Sequence, residues 1–323
     1  MAAIRYGIAG QPVAHSLSPL LVALVVRHLN LPVSEKELTM ELVEVATVPD
    51  AFAWGYAGAL PDPIPWAYTN SVFNKFRTKA LLKKAVDAAL QIDACHPELV
   101  SAFPARNHRA SSTRSLPSRM FDQEVWINLT APLKHQLDSG AVVAVDDSMR
   151  NKYVNALRWD GRGWWCAGLD GEGVLDVLWH HGFEPEHHVL GLIGGGGAAR
   201  STAAAWAAAG GRLHPLTSRR PLEDGPWSES ITTDEPTIAV DFDGTGGADA
   251  SLLKSTYAPM EGSTEQRVNA MASRPLDGRW LLVAQHLACW RTLWAPERAD
   301  ELPSLGHLLT QLLEAESVLA SYA

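Results

Sequence analysis

The sequence predicts an α/β protein in two domains. Three observations carry that expectation. Residues Val189–Gly210, VLGLIGGGGAARSTAAAWAAAG, read as a strand, a glycine turn and a helix. The chain opens on the same alternation, with a strand at Ile4–Ala9, a helix at Leu20–Leu29 and a strand at Lys36–Val45. A length of 323 residues is enough for a core in each of two domains.

In the central stretch, Val189–Ile193 has the length and apolar character of a buried parallel strand. The alanine-rich run Ala198–Ala209 favours helix, and Gly210-Gly211 stops it. Gly194, Gly196 and Ala199 match G-x-G-x-x-G/A, the turn that receives a pyrophosphate. Gly194 permits the tight turn, Gly196 lets backbone approach phosphate oxygens, and Ala199 allows close helix–strand packing. The helix start then offers free N–H groups and a partial positive charge to the anion. The contributors on this side are Gly194, Gly195, Gly196, Gly197, Ala198 and Ala199. A glycine-rich turn without a ligand is the plainer alternative. The next strand, Arg212–Thr217, ends in Ser218, Arg219 and Arg220 rather than in an acidic residue. Guanidinium groups suit a 2′-phosphate, so NADP is preferred over NAD, unless these arginines are only a solvated turn. This half is a reduced Rossmann-like domain, because after Arg220 only Pro236–Phe242 and Trp280–Ala284 read as further strands.

The remaining elements follow in order. Ser18 suits an N-cap, with Pro19 at the first helical position and Asn30 as the stop. From about residue 51 to 122 the pattern loosens into an insertion. It holds a stiff turn at Pro61–Pro65, a basic amphipathic helix at Phe73–Ala89 and a polar loop, expected to be mobile, at Arg106–Arg119. Glu124–Leu129 is a strand, and Pro132 starts a helix that carries Lys134. Tyr153–Trp159 and Trp164–Ala167 form a hairpin about Asp160–Gly163. Asp170–Gly173 opens the helix Val174–His180. His286–Leu293 is helical, and Leu305–Tyr322 is an amphipathic helix. The expected division is 1–166 with the insertion, 167–290, and a C-terminal helical segment 291–323 that packs back on the first domain.

Composition narrows the function. A net charge of −9 argues against nucleic acid as a partner. The charge is uneven: Ser71–Val125 is at +4 and the remainder at −13. No apolar run is long enough to span a bilayer, and no leader pattern stands at the start, so the expectation is a cytoplasmic protein without a membrane partner. Cys95, Cys166 and Cys289 are odd in number and widely spaced, which favours reduced thiols over a disulfide framework or a zinc site. His180-His181 and His187-His188 flank a loop without helical spacing, so no metal is expected there and the histidines read as solvated.

Five motifs in order carry a resemblance. They are Ser16-Leu17-Ser18-Pro19, Asn128–Lys134 (NLTAPLK), Tyr153–Leu157 (YVNAL), Leu169–Gly173 (LDGEG) and Gly194–Arg200. Together they resemble shikimate dehydrogenase and its quinate-using relatives. The resemblance implies an N-terminal α/β substrate domain, an NADP domain and a reacting cleft between them. It implies that Ser16 and Ser18 hold a substrate carboxylate, and that Asn128, Thr130, Asn155 and Gln285 bond ring hydroxyls. Tyr257 resembles the family's substrate-side tyrosine, and Lys134 and Asp170 its catalytic pair. The chemistry agrees: hydride transfer to a ketone builds negative charge on oxygen, which a cation that can give a proton relieves. Each residue also has a plainer reading, Ser18 and Asp170 as helix caps and Lys134 as a surface lysine, and the joint order weighs against it.

Three departures stand out. Gly168-Leu169 replaces two polar neighbours of the aspartate. The strand end that faces the nicotinamide in the family reads here Val240-Asp241-Phe242-Asp243-Gly244, with two carboxylates that must point away from an anionic cofactor. The stretch before Asn128 is longer than in the family. A shikimate/quinate-type NADP oxidoreductase acting on a small cyclic substrate is the first expectation. A redox-inactive relative without cofactor, acting as a binding protein in a specialised biosynthetic route, is the alternative. A protein or peptide bound at the basic stretch 71–120 and a homodimer are further candidate partners.

Overall fold

The computed structural model describes residues 3–31, 38–57, 64–65, 79–108, 123–138, 140, 142–246, 249 and 251–321. In chain order the first elements are β1 (Ala3–Gly10), α1 (Ser18–His28), β2 (Leu38–Glu44), α2 (Val48–Ala57), β3 (Ile64–Pro65) and α3 (Lys79–Ala89). Then come β4 (Gln123–Leu129), β5 (Val142–Ala144), β6 (Ala156–Trp159), β7 (Trp164–Ala167) and α4 (Asp170–His180). These strands form one seven-stranded sheet in the order β3-β2-β1-β4-β6-β7-β5. Its centre is parallel, with β1 between β2 and β4, and β6 and β7 add an antiparallel flank. Ile4, Tyr6, Ile8 and Ala9 are buried, as a central parallel strand requires.

The second half holds β8 (Val189–Ile193), α5 (Gly197–Ala208), β9 (Arg212–Leu216), β10 (Ile238–Asp241), β11 (Leu252–Lys254), α6 (Thr264–Ala272), α7 (Gly278–Cys289) and α8 (Leu305–Ser321). Its four strands are all parallel, in the order β11-β10-β8-β9. Between β9 and β10 the chain makes only a single 3-10 turn, Ser228–Ser230, where a doubly wound unit carries a crossover helix. The α/β class and the reduced second sheet agree with the sequence reading.

Several elements differ from it. Trp280–Ala284 is not a strand but the middle of α7. Asp277 caps that helix, accepting from the Arg279 N–H at 2.9 Å, and eleven of its residues are buried. A short apolar run fits a buried strand and a buried helix equally well, and the cap decides. Ser18 is not the N-cap of α1: Leu17 holds that position, and no side chain caps the helix. The turn after Pro132 is a 3-10 helix, Leu133–His135, rather than an α-helix. Of the basic helix, Lys79–Ala89 is helical as α3, while 66–78 lie outside the described residues, as do 109–122 of the polar loop. Arg106, expected in a mobile loop, is pinned on α4, with Nη2 to Glu172 at 2.6 Å and Nη1 to Asp176 at 2.8 Å. His180 and His181, expected to be solvated, pack on Trp280 with ring centroids 4.9 and 4.8 Å away.

The core is rich in tryptophan. Trp126 of β4 stacks on Trp294 at 5.6 Å and meets Trp290 edge-on at 5.1 Å. Beside them lies a buried ion pair: the Arg158 guanidinium donates to both Glu124 oxygens, at 3.0 and 3.1 Å, and to the Leu293 carbonyl at 3.0 Å. α8 packs on α1, α3, α6 and α7. Leu82, Ala85, Val86 and Ala89 of α3 join the same core, so the basic helix is an integral element, not an appendage.

Candidate active site

The carboxyl ends of the parallel strands of both sheets open on one cavity of about 480 Å³. From the first sheet, β1 leads through Gly10 to Ser16 and Ser18. Both serines are buried, and the Ser16 hydroxyl accepts the Ser18 N–H at 3.2 Å. β4 delivers Asn128 at its end and Thr130 just beyond it. The Asn128 carbonyl accepts the Tyr6 hydroxyl at 2.7 Å, and its amide donates to the Asn155 carbonyl at 3.3 Å. Burial raises the Tyr6 phenol well above its ordinary range, so it stays a donor.

Lys134 stands on the 3-10 turn that follows. Its ammonium donates to Asp170 Oδ2 at 2.6 Å, with the lysine side chain 23% and the aspartate 3% exposed. Asp170 is in the first turn of α4 but does not cap it; Leu169 holds that position. The second carboxylate oxygen accepts the Asn155 amide at 2.6 Å, and Asn155 Oδ1 accepts the Leu169 N–H at 2.8 Å. Each carboxylate oxygen therefore has a partner, which fixes its orientation. Tyr257 accepts the Leu17 N–H at 3.2 Å, and its phenol is pushed up to about 12, chiefly by burial. Gln285 enters from α7, which crosses α4 at Gly173; a Cβ there would lie 2.8 Å from the Gln285 backbone nitrogen.

On the facing wall stand Gly196, Gly197, Ala198 and Ala199. α5 begins here with Gly196 at its N-cap and no side-chain cap, so its first N–H groups are available to an anion. A Cβ on Gly196 would meet nothing within 4 Å, so the space before the turn is open. These features fit the pyrophosphate of a dinucleotide. The structure thus brings Ser16, Ser18, Asn128, Thr130, Lys134, Asn155, Asp170, Tyr257 and Gln285 together with those four residues around one cavity.

The other cofactor-side residues do not line it. Gly194, at φ 122°, backs onto Phe242 and Asp243. A Cβ on Gly195 would meet the Pro221 carbonyl oxygen at 2.0 Å. The Ser218 hydroxyl donates to the Arg220 carbonyl at 2.8 Å. Arg219 is engaged by Asp243, which accepts its backbone N–H at 2.7 Å. Asp241, the other carboxylate of that strand end, is turned onto the N–H groups of Asp243, Gly244 and Gly246 at 2.7–2.9 Å.

Two participants escaped the sequence reading. Tyr6 supports Asn128 from inside the first sheet. The Tyr153 ring lies 5.6 Å from the Lys134 ammonium and would touch a Cβ on Gly197 at 2.3 Å. Tyr153 was visible inside the YVNAL motif, whereas nothing local marks Tyr6. Among the described residues, no group of three or more His, Cys, Asp or Glu side chains is placed to hold a metal, and no helix is long and apolar enough to cross a membrane.

No protein-family model and no curated protein matches the chain. Solved structures do. Shikimate 5-dehydrogenase from Thermus thermophilus in complex with shikimate is 18% identical with a TM-score of 0.54, over 97% of this chain and 99% of that one. Its complex with NADP(H) and shikimate gives 19% and 0.52 over the same shares. The dehydroquinate dehydratase and shikimate dehydrogenase from S. pombe is 16% identical with a TM-score of 0.56, over 97% of this chain and 53% of that one. The fold is that of the shikimate dehydrogenases, as the ordered motifs imply.

Proposed function

We propose that the chain is an oxidoreductase that transfers a hydride between NADP(H) and a cyclic polyhydroxy carboxylate or its ketone. The observation that carries this reading is the Lys134–Asp170 pair at 2.6 Å, in a cavity whose opposite wall is the open N-terminus of α5. On this reading the seven-stranded unit, residues 1–166, holds the substrate, and 167–290 holds the dinucleotide.

The residues divide the work. Ser16 and Ser18 offer hydroxyls to the substrate carboxylate. Asn128, Thr130, Asn155 and Gln285 offer neutral donors and acceptors to the ring. Lys134 holds the proton that the nascent alkoxide takes up, and in reverse its amine accepts one. Asp170, locked by Asn155, keeps the ammonium aimed and balances its charge. Bound NADPH would supply the hydride, its pyrophosphate held at the Gly196–Ala199 turn.

The test is NADPH consumption with 3-dehydroshikimate and close analogues. Replacing Lys134 by Ala should lower turnover by roughly 10²–10⁴-fold, the range of one general acid–base group. The protein should still fold, because Asp170 keeps its bond to Asn155 and lines the cavity, where water can replace the ammonium. Wild-type protein inert across that substrate class would end the proposal.

A second reading keeps the fold without the redox step. The missing crossover helix and the Asp243 carboxylate beside Gly194 favour it. Calorimetric titration of NADPH separates the two: saturable binding supports the oxidoreductase, and its absence supports a binding protein, with a protein or peptide at 71–120 as the candidate partner.

A further inference from the structure

β9 and β10 flank β8 on either side, so the loops that leave them meet across the glycine turn. From β9, the backbone of Arg220 and Pro221 presses on Gly195, with carbonyl oxygens 2.8 and 2.0 Å from the Cβ position. From β10, the Asp243 carboxylate lies 3.3 Å from the Cβ position of Gly194. The two loops are stapled together. Asp243 Oδ2 accepts the Arg219 backbone N–H at 2.7 Å, its carbonyl accepts Arg219 Nη2 at 2.8 Å, and Oδ1 stands 3.8 Å from that guanidinium. The aim of Asp243 is itself fixed, because its N–H donates to buried Asp241 at 2.9 Å.

We propose that Asp243 sets the dinucleotide selectivity of this chain by holding Arg219 and placing a carboxylate beside the cofactor cleft, so that a 2′-phosphate gains less than the Ser218-Arg219-Arg220 sequence offers it. This rests on the dinucleotide reading above. On the dinucleotide reading Arg219 is the cation that a 2′-phosphate would recruit: its side chain is 73% exposed, and Asp243, which holds it, lines the cavity. A dinucleotide carrying that phosphate must share the guanidinium with Asp243 and approach a like charge. One lacking it meets only the second, smaller penalty.

The test is calorimetric titration of full-length wild type and Asp243→Asn with NADP⁺ and NAD⁺, at constant ionic strength. Asn keeps an acceptor for the Arg219 N–H, and a thermal melt checks that the variant folds. The variant should bind NADP⁺ tighter by roughly tenfold, the scale of one like-charge contact near a surface, and NAD⁺ by much less. Adding Arg219→Gln to the variant should remove most of the gain and leave only the part owed to the lost like charge. An unchanged NADP⁺ to NAD⁺ ratio, or a gain that the Arg219 change leaves undiminished, overturns the selectivity role while leaving the dinucleotide reading intact. If neither dinucleotide binds wild type or variant, the dinucleotide reading falls, and this inference falls with it.

Discussion

Asn155 holds the site together with one amide. Its nitrogen donates to Asp170, its oxygen accepts from Leu169, and the residue is only 2% exposed. Replacing it by Ala strands a buried N–H and one oxygen of a carboxylate, at a cost of about 3 kcal/mol. Lys134 differs in degree: its loss also strands one oxygen of Asp170, but Asp170 lines the cavity, where water can replace the ammonium, and no backbone N–H is orphaned. Two alanine variants should therefore separate in urea denaturation: Asn155→Ala loses turnover and the larger share of stability, while Lys134→Ala loses mainly turnover. A full-stability Asn155→Ala protein would mean the amide is not what fixes the carboxylate. At this scale the sequence was most informative for the residues that line the cavity. Serines, asparagines, lysine and aspartate announced themselves by order along the chain. Tyr6 did not, because it acts on Asn128 through the interior and any core aromatic would look the same.

At the scale of elements, the geometry of the site depends on how closely three helices cross. α4 meets α5 at Gly171, where a Cβ would lie 2.2 Å from the Ser201 carbonyl, and α7 at Gly173, where it would lie 2.8–3.0 Å from the Gln285 backbone and Cβ. Both obstacles are backbone, which cannot swing aside. Gly173→Ala should thus cost about 1–3 kcal/mol as an overpacked contact. It should also displace Gln285 and raise KM more than it lowers kcat. Gly163→Ala, with nothing within 4 Å of the new methyl, is the matched control and should do neither. The elements legible in advance had both a period and punctuation: β8, its glycine turn and α5 were found almost to the residue. The start of α7 reads as a strand because five apolar residues carry no helical period of their own, and only the Asp277 cap marks the helix. α6 was missed although Ser263 and Gln266 form a reciprocal capping box there, a signal its polar face obscured. The Arg219–Asp243 staple had no local signal at all, since its partners meet only once β9 and β10 have docked on β8.

For the whole molecule, both sheets aim their carboxyl ends at one cavity, as ligand sites in open α/β sheets do. Behind that cavity lie histidines that are wholly or partly buried. His286 lies on α7, 1% exposed, and burial pushes it down to about 3. His181, packed on Trp280, is also pushed down to about 3, chiefly by burial. Burial lowers His180 and His108 as well. In the unfolded chain each would take a proton near pH 6.5. Between that value and the folded one, the unfolded state binds more protons, so stability rises with pH across the window and is lost as pH falls through it. Above about pH 6.5 both states are neutral and the contribution is flat. Each such histidine can add a slope of at most about 1.4 kcal/mol per pH unit. Urea denaturation between pH 7.5 and 5.5, above the range where most carboxylates titrate, should show unfolding free energy falling with acid. His286→Leu, which keeps an apolar side chain of similar volume, should make that fall shallower by up to this slope. A wild-type profile flat down to pH 5.5 would mean that His286 and His181 take protons without unfolding, and that water reaches the back of the α4–α7 crossing.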